Sequence, residues 1–188
     1  TPGPYRTPMM ARSALVLAFS LALSLPAVAQ GYVPAYERDV DISEGPEVVL
    51  VYFGASTCGP CHDDRFKAAL EEAKVLLFER AEADGKSFAA VGVAVDHSVE
   101  DGLAFLAASG RFDEVVVGRN WFNSAVLAHI WRPDDAGSQR AGLPGIMVFE
   151  REMSMGESGI AASAPAYLAE VVGAEDIPAW VEAGAPLE

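Results

Sequence analysis

The 188-residue sequence has few cysteines and few basic side chains: two Cys, and 13 Lys and Arg against 27 Asp and Glu. Two cysteines cannot build a disulfide-dense scaffold or a four-cysteine zinc site, which leaves one disulfide or one redox pair. The net charge of -14 disfavours a nucleic-acid-binding surface, which needs Lys and Arg to replace the counterions of the phosphates. We therefore predict that nucleic acid is not a partner.

The sequence also lacks an apolar run of the roughly 20 residues that a membrane-spanning helix needs. Residues 14–25 (ALVLAFSLALSL) form a shorter run that follows Arg12, ends at Pro26 and precedes a small-x-small sequence at 27–29. This order is typical of a secretory signal peptide, with an uncleaved anchor helix as the alternative. We expect residues 1–29 to be an N-terminal extension and signal, and the mature protein to be periplasmic or secreted without stable membrane insertion. Export would place the two cysteines where a disulfide persists.

Hydrophobic residues make up 51% of the chain and charged residues 21%, which suits one compact domain with a core. Residues 30–45 are mixed in charge and contain Pro34 and Gly45, so we interpret them as a lead-in to a domain at 46–188. Residues 48–53 (VVLVYF) are apolar without alternation, which predicts a strand buried on both faces.

Helix and strand signals alternate after this strand. An apolar stripe with spacings of three and four predicts a long helix that Gly85 ends. Its members are Phe66, Leu70, Ala73, Leu77 and Ala81. Residues 88–95 (FAAVGVAV) indicate a second buried strand, and Ser98 with Asp101 predicts the start of a helix that Gly110 ends.

The second half of the chain carries further signals of both kinds. The predicted elements are a short strand at 115–117, a helix from Asn123 to Trp131, a loop over 132–142, a strand at 145–149 that pairs with a segment near 159–161, a helix from Ser163 to Val172, and a final short helix with Pro178 in its first turn. Strands that alternate with helices predict an α/β protein with a largely parallel central sheet.

The two cysteines form the motif Cys58-Gly59-Pro60-Cys61, directly after the first buried strand and at the start of the first helix. Unpaired amides and the dipole at a helix start favour an anion, so we expect a thiolate here with a lowered pKa. We predict that Cys58 is the exposed nucleophile and Cys61 the resolving thiol. Pro60 lacks an N–H, and its fixed φ suits a first turn. A static structural disulfide is the alternative, but so short a loop would restrict the unfolded chain little.

This motif and its surroundings resemble the thioredoxin superfamily over about residues 46–175. The resemblance rests on VVLVYFGASTCGPCHDDRF, on the strand that ends at Asp96, and on Leu143-Pro144 before GIMVF. It implies a thioredoxin-like α/β fold, with a central mixed sheet flanked by helices and a helix–strand insertion before the cis-proline strand. It also implies that Pro144 is the cis-proline, which with Leu143 faces the cysteine pair and helps to hold substrate backbone.

The long stretch between Asp96 and Pro144 resembles the exported TlpA-like and redoxin-like branch of that superfamily. This resemblance implies a thiol–disulfide oxidoreductase that exchanges disulfides with protein substrates outside the cytoplasm. The Gly-Pro pair resembles reducing members, so reduction is the first direction expected, and oxidation or isomerisation the second. A reductase needs a thiol electron donor, which the sequence does not name. No cofactor besides the Cys58–Cys61 disulfide and no metal is expected.

Three residues depart from the superfamily pattern. Thr57 stands where thioredoxins have a Trp, Tyr52 where they have a buried Asp that relays protons, and Gly92 near the Lys partner of that Asp. Proton transfer to the resolving thiol would then use water or another group, or be slower.

The motif also fits a different chemistry. The run CGPCH matches the C-x-x-C-H pattern of c-type haem attachment, with His62 as an axial ligand and Met147, Met153 or Met155 as its partner. Without haem, His62 is an exposed helix residue. Its cation would help to hold the Cys58 thiolate, but the adjacent Asp63 and Asp64 oppose this by raising the thiol pKa. The residues that we expect to support the motif are Thr57, Gly59, Pro60 and His62.

A non-catalytic binding module is a further alternative, for example a Cu(I) carrier. Two thiolates with a histidine suit Cu(I), and His97 and His129 are the distant candidates for that histidine. Another cluster is aromatic and lies in the inserted segment, at residues 119–123 and Trp131. We expect it to pack as core of that segment, and the alternative is a substrate-facing patch beside the cysteines.

Overall fold

The computed structural model describes Thr1, Gly3, Tyr36, Glu37 and residues 43–132, 141–157 and 159–188. The chain divides into two compact units, Thr1–Gln30 and Gly31–Glu188, and every described helix and strand lies in the second. The predicted signal segment at 12–29 and most of the predicted loop at 132–142 lie outside the described residues. None of the described helices is long and apolar enough to cross a membrane.

The second unit alternates strands with helices, as the sequence predicts. Its described strands are β1 (Gly45–Gly54), β2 (Ser87–Ala94), β3 (Glu114–Val116), β4 (Gly145–Gly156), β5 (Gly159–Ala162) and β6 (Ala166–Val172). Its described α-helices are α1 (Asp64–Ala83), α2 (Val99–Ser109), α3 (Ser124–His129) and α4 (Asp176–Glu182). Short 3-10 turns at Gly59–His62 and Asn120–Phe122 precede α1 and α3.

The described strands form one mixed sheet in the order β3-β2-β1-β4-β5, with β6 also paired to β4. The strands β1, β2 and β3 are parallel, whereas β4 is antiparallel to β1, and β5 and β6 are antiparallel to β4. The expectation of a largely parallel sheet is therefore wrong. The mixed sheet that the family resemblance implies is confirmed. The reason lies at the start of β4, where Gly145 enters the sheet opposite Phe53 near the end of β1 and the chain runs back along β1.

The central strand β1 is buried on both faces, as predicted. Alternate residues contribute to two core clusters, with Val49 and Val51 in one and Leu50 and Tyr52 in the other. The cluster around Leu50 also contains buried residues of α1, α2 and α4, whereas the other contains residues of α3. Helices therefore cover both faces of the sheet. The predicted stripe of α1 is buried over its whole length, at Phe66, Leu70, Ala73, Leu77 and Ala81.

The helix starts predicted at Ser98 and Asn123 are confirmed by their caps. The Ser98 hydroxyl accepts the Asp101 N–H at 3.1 Å, and Oδ1 of Asn123 accepts the Val126 N–H at 2.9 Å. Each side chain satisfies an amide that the first turn of a helix leaves free. The helix that follows Asn123 ends at His129, two residues earlier than predicted.

The segment predicted as a helix from Ser163 to Val172 is wrong, because Ala166–Val172 is the strand β6. Antiparallel pairing with β4 places Val172 opposite Gly145 and Ala166 opposite Glu150. These ladder bonds satisfy the backbone of a segment whose β-branched and aromatic residues suit a pleated sheet better than a helix.

Tyr36 belongs to the core although it lies in the lead-in segment. Its side chain is 2% exposed, its backbone N–H donates to Oε2 of Glu71 at 2.9 Å, and its hydroxyl donates to Oδ2 of Asp113 at 2.7 Å. Glu71 in turn accepts a hydrogen bond from the buried ammonium of Lys74, which also donates to the Arg111 carbonyl at 2.8 Å. A buried polar network therefore joins the lead-in to α1 and to the loop before β3.

Candidate functional site

The two cysteines lie just beyond the carboxyl end of β1 and are joined by a disulfide. The sulfur–sulfur distance is 2.02 Å and the Cα atoms are 5.3 Å apart. Cys58 is half-buried, whereas Cys61 is completely buried in the core cluster that contains Leu50 and Phe66. Gly59 and Pro60 between them are exposed. The motif therefore presents one sulfur toward the surface and keeps the other inside.

The sequence predicts that the motif lies on the first turn of α1. It lies instead on the separate 3-10 turn Gly59–His62, with Cys58 at the N-cap of that turn. Asp63 has an extended backbone after this turn, and its carboxylate accepts the N–H groups of Arg65 at 2.8 Å and Phe66 at 3.3 Å. The free amides at the start of α1 are therefore satisfied by Asp63 and not by a cysteine sulfur. The sulfur of Cys58 lies 3.3 Å from the amide nitrogen of Cys61, which donates to it.

A buried carboxylate holds the loop that leads into the motif. Asp96, 6% exposed, accepts the Ser56 N–H at 3.2 and 3.1 Å and the Ser56 hydroxyl at 2.5 Å. The next residues turn back, and the Cys58 N–H donates to the Ala55 carbonyl at 3.0 Å. Sequence reasoning identified Asp96 only as the end of a strand. The available signal was a carboxylate at the end of a parallel strand beside β1, where side chains from adjacent strands meet.

His62 is exposed and turns back toward this loop. Its Nε2 lies 2.8 Å from the Ser56 carbonyl, and its ring packs edge-on against Phe105 with centroids 5.6 Å apart. A carbonyl oxygen only accepts, so Nε2 carries the proton in this arrangement. Thr57, the neighbour of Ser56, is exposed beside the first cysteine.

The Leu143–Pro144 peptide bond is cis, as the resemblance implies. Pro144 immediately precedes β4, whose first residue, Gly145, lies opposite Phe53 near the end of β1. Leu143 is half-buried and packs against both core clusters, as Cys58 does. The structure therefore brings the motif and the Leu143-Pro144 pair to the same edge of the sheet.

The residues that replace the superfamily's proton relay are apolar or un-ionised. Tyr52 is fully buried, and among the described residues its hydroxyl has no hydrogen-bond partner. Burial raises the pKa of Tyr52. At Gly92, an added Cβ would lie 2.9 Å from the Phe112 ring, so that ring occupies the space of a side chain there. Neither position offers a group that exchanges a proton with Cys61 near neutral pH.

The histidines proposed for copper lie in separate environments. Nε2 of His97 lies 2.8 Å from the side-chain amide of Asn120, whereas His129 stacks on Phe149 and its Nδ1 lies 3.0 Å from the Tyr167 hydroxyl. Burial, with smaller contributions from the charges of Arg132 and Arg151, lowers the pKa of His129 to about 4. No group of three or more Cys, His, Asp or Glu side chains suited to a metal occurs within the described parts of the chain.

The predicted aromatic cluster is only partly buried. The Trp121 and Trp131 rings are 6.3 Å apart, and Nε1 of Trp131 donates to the Trp121 carbonyl at 2.9 Å. Phe122 is 65% exposed and Trp131 39% exposed, so neither is a core residue. Trp121 lines a cavity that Thr57 and Leu143 also line.

Comparisons with known proteins give one distant likeness. No family model and no curated protein matches the chain. Among solved structures, the chain is similar to a candidate thiol:disulfide interchange protein DsbE from Chlorobium tepidum. The TM-score is 0.38 and the identity 18%, over 74% of this chain and 77% of that chain.

The fold is assigned from the elements of this chain. A parallel β1-α1-β2 unit carries the cysteine motif after its first strand, and the antiparallel strands β4 and β6 with α4 follow a cis-proline. The resemblance to the thioredoxin superfamily is thus confirmed at the level of the fold: the chain has a thioredoxin-like fold with a cysteine disulfide at the end of its central strand.

Proposed function

We propose that the protein is an exported thiol–disulfide oxidoreductase that exchanges disulfides with protein substrates. The observation that carries this proposal is the asymmetry of the Cys58–Cys61 disulfide, since one sulfur is half-buried and the other is completely buried. The accessible sulfur can form a mixed disulfide with a substrate, and the buried sulfur within bonding distance can then resolve that mixed disulfide. A disulfide that spans so few residues stabilises a fold little, so a purely structural role explains the pair poorly.

In the reducing direction, the reaction starts from the dithiol form. The thiolate of Cys58 attacks one sulfur of the substrate disulfide, the substrate S–S bond breaks, and one substrate thiolate leaves. The thiolate of Cys61 then attacks the Cys58 sulfur, which forms the Cys58–Cys61 disulfide and releases the second substrate thiolate. The substrate gains two electrons and two protons, and the protein loses the same number.

A second thiol protein must restore the dithiol in each cycle, because two electrons leave the protein per substrate reduced. Reduction is the proposed direction, since the Gly-Pro pair resembles reducing members, with oxidation or isomerisation as the reverse uses of the same pair. The apolar surroundings of Tyr52 and Gly92 support a path in which water or the departing substrate thiolate accepts the proton that Cys61 loses before it attacks. The signal-like sequence before residue 30 supports a periplasmic or secreted location. The disulfide is the only redox group that the mechanism uses.

The two cysteines differ in role, and a pair of serine variants tests this. In Cys58→Ser, reduction of insulin by dithiothreitol should fall to the uncatalysed rate, because the attacking sulfur is gone. In Cys61→Ser, turnover should also stop, but mixed disulfides should accumulate on Cys58, and mass spectrometry would detect them and identify the bound partner. Full activity in Cys58→Ser, or mixed disulfides in Cys58→Ser but not in Cys61→Ser, would contradict the assignment.

A further inference from the structure

A cavity of about 380 Å³ lies directly beside the cysteine motif. Thr57, which precedes Cys58, and Leu143, which precedes the cis-proline, both line it. Asn120 and Trp121 of the inserted segment also line it. We propose that this cavity takes the side chain next to the reacting cysteine of a substrate polypeptide and selects a cationic one, arginine or lysine. This assignment rests on the function proposed above.

The position of the cavity follows from the geometry of a mixed disulfide. A substrate sulfur bonded to Cys58 lies about 2 Å from its sulfur, and the next substrate residue lies about 3.8 Å further along the chain. The substrate residues next to the reacting cysteine therefore fall over the residues that flank Cys58. On the Thr57 side, those side chains meet the cavity.

A second cavity beside the motif suits a cation less well. It measures about 320 Å³, and its lining includes Arg65 with two carboxylates that are already engaged: Asp63 caps α1, and Glu175 lies near Arg65. Arg65 already supplies a positive charge there and lies 3.6 Å from carboxylate oxygens of Glu175 and Glu182. The cavity beside Thr57 has no Lys or Arg among its described lining residues.

The walls of the cavity beside Thr57 are held in place by hydrogen bonds between distant segments. The Asn120 N–H donates to the Asp96 carbonyl at 3.0 Å, and its side-chain amide lies 2.8 Å from Nε2 of His97. The indole N–H of Trp131 donates a hydrogen bond to the Trp121 carbonyl. The cavity therefore exists before a substrate arrives, which lowers the entropy cost of binding.

The backbone before Trp121 adopts a conformation that only its surroundings impose. Arg119 and Asn120 have φ angles of 58° and 51°, in the left-handed region. Asn tolerates this region through local hydrogen bonds, whereas an arginine there is strained. Such strain persists only where the surrounding structure holds it, and this segment leads directly into Trp121.

The chemistry of the lining fits a cation. Trp121, which lines the cavity, carries an aromatic ring of the kind that attracts a guanidinium or ammonium group. Asp101 also lines the cavity, is exposed, and has no side-chain hydrogen bond or ion pair among the described residues. Asp96 lines it too, but its carboxylate is occupied by Ser56. An aromatic side chain and an available carboxylate on one cavity, in a chain of net charge -14, favour arginine or lysine and repel glutamate.

The test uses short peptides that each contain one cysteine and are linked as disulfide dimers. Arginine, alanine or glutamate stands next to the cysteine, before it in one series and after it in the other, and the rate of reduction by the dithiol protein is measured as kcat/KM. The variants are Asp101→Asn and Trp121→Leu. The matched control is Glu100→Gln, which removes the same charge from the adjacent residue of α2. Glu100 lies 3.0 Å from the Ser98 hydroxyl and does not line the cavity.

The wild type should show a preference in the series whose varied residue reaches the cavity. In that series the arginine peptide should react about tenfold faster than the alanine peptide, and the glutamate peptide should react slowest. Asp101→Asn and Trp121→Leu should each lower the arginine-to-alanine ratio about threefold or more, whereas Glu100→Gln should keep it. Asp101 is exposed on α2, so its variant folds even if Trp121→Leu does not.

Equal rates for arginine, alanine and glutamate in the wild type would overturn the proposal. An equal loss of the ratio in Glu100→Gln and Asp101→Asn would also overturn it, because a general charge effect would then explain the preference. Failure of the proposed function looks different, since the wild type would then reduce every peptide no faster than Cys58→Ser.

Discussion

Asp96 shows how one buried carboxylate positions the loop that carries the cysteines. It accepts hydrogen bonds from both the amide and the hydroxyl of Ser56, two residues before Cys58. Hydrogen bonds to an ionised acceptor are stronger than those between neutral groups. The loop is therefore held partly by a residue that follows β2 and lies 40 positions away from Ser56 in the sequence.

Replacement of this carboxylate should affect both stability and exchange. We expect Asp96→Asn to lower the free energy of unfolding by about 2 kcal/mol, because the amide accepts less strongly and turns an N–H group toward donors. Peptide exchange by Cys58 should slow because the loop loses its anchor. Urea unfolding and the exchange assay measure the two effects. Glu72→Gln on the exposed face of α1 is the control, and an equal loss in that variant would contradict the positioning role.

His129 makes stability depend on pH. Burial first, and then Arg132 and Arg151, lower its pKa to about 4, while Tyr167 hydrogen-bonds its ring and Glu170 lies near Arg132. The unfolded chain, with a His pKa near 6.5, binds more protons than the folded one between these values. The stability linked to His129 is therefore fully present above about pH 6.5 and is lost as the pH falls toward 4.

The expected loss between pH 7 and pH 4 that is due to His129 is about 2 to 3 kcal/mol. Urea unfolding at several pH values, compared between the wild type and His129→Phe, isolates this part, since Phe keeps a ring that stacks on Phe149. The phenylalanine variant should show a smaller decrease over this range. An identical decrease in both proteins would contradict the assignment.

At the scale of elements, the break between the 3-10 turn and α1 separates the motif from the helix. Asp63 begins α1 with a side-chain cap, and its own N–H donates to the Pro60 carbonyl at 3.2 Å. The strand and helix signals around the motif predict that the cysteines lie at the start of the helix itself. Three signals in the sequence, a proline at 60 and aspartates at 63 and 64, are compatible with a helix that begins at either place.

The cap should contribute measurable stability. Asp63→Ala should lower the free energy of unfolding by about 1 kcal/mol, since two amides of the first turn of α1 lose their acceptor. Asp64→Ala removes a charge from the same turn without removing a cap, and should cost less. Thermal and urea unfolding of both variants give the comparison. A larger loss in Asp64→Ala would show that charge, not the cap, dominates this helix start.

At the scale of the whole molecule, a buried charge network joins segments far apart in sequence. Lys74 and Glu71 are both almost fully buried on α1, and the Lys74 ammonium also lies 4.6 Å from the centre of the Phe112 ring. The Phe112 ring stacks on Tyr52, and both belong to the core cluster that contains Cys61. The charge network therefore borders the apolar core around the buried cysteine. Burial lowers the pKa of Lys74, and its contacts with Glu71 oppose that shift.

Removal of one partner should be far worse than removal of both. Lys74→Met should lower the free energy of unfolding by about 3 to 5 kcal/mol, because the Glu71 carboxylate stays buried without a cation. The double variant Lys74→Met with Glu71→Gln should recover part of this loss. Urea unfolding of the single and double variants tests the coupling. A double variant less stable than Lys74→Met would contradict it.

Much of the fold could be predicted because its signals are local. The apolar run of β1, the stripe from Phe66 to Ala81 and the caps at Ser98 and Asn123 each depend on residues within a few positions of one another. The cysteine pair was equally visible. The strand at Ala166–Val172 was missed because its backbone partners lie in β4, about 20 residues away in the chain.

The sequence by itself determined the α/β class, the cysteine motif and the proline that precedes β4, because spacing and residue type encode these. Only the tertiary structure decided the antiparallel half of the sheet and the separation of the motif from α1. It alone also decided the meeting of Thr57, Leu143 and Trp121 around one cavity. Those features depend on contacts such as that between Asn120 and Asp96, which form when distant segments pack and which no local pattern specifies.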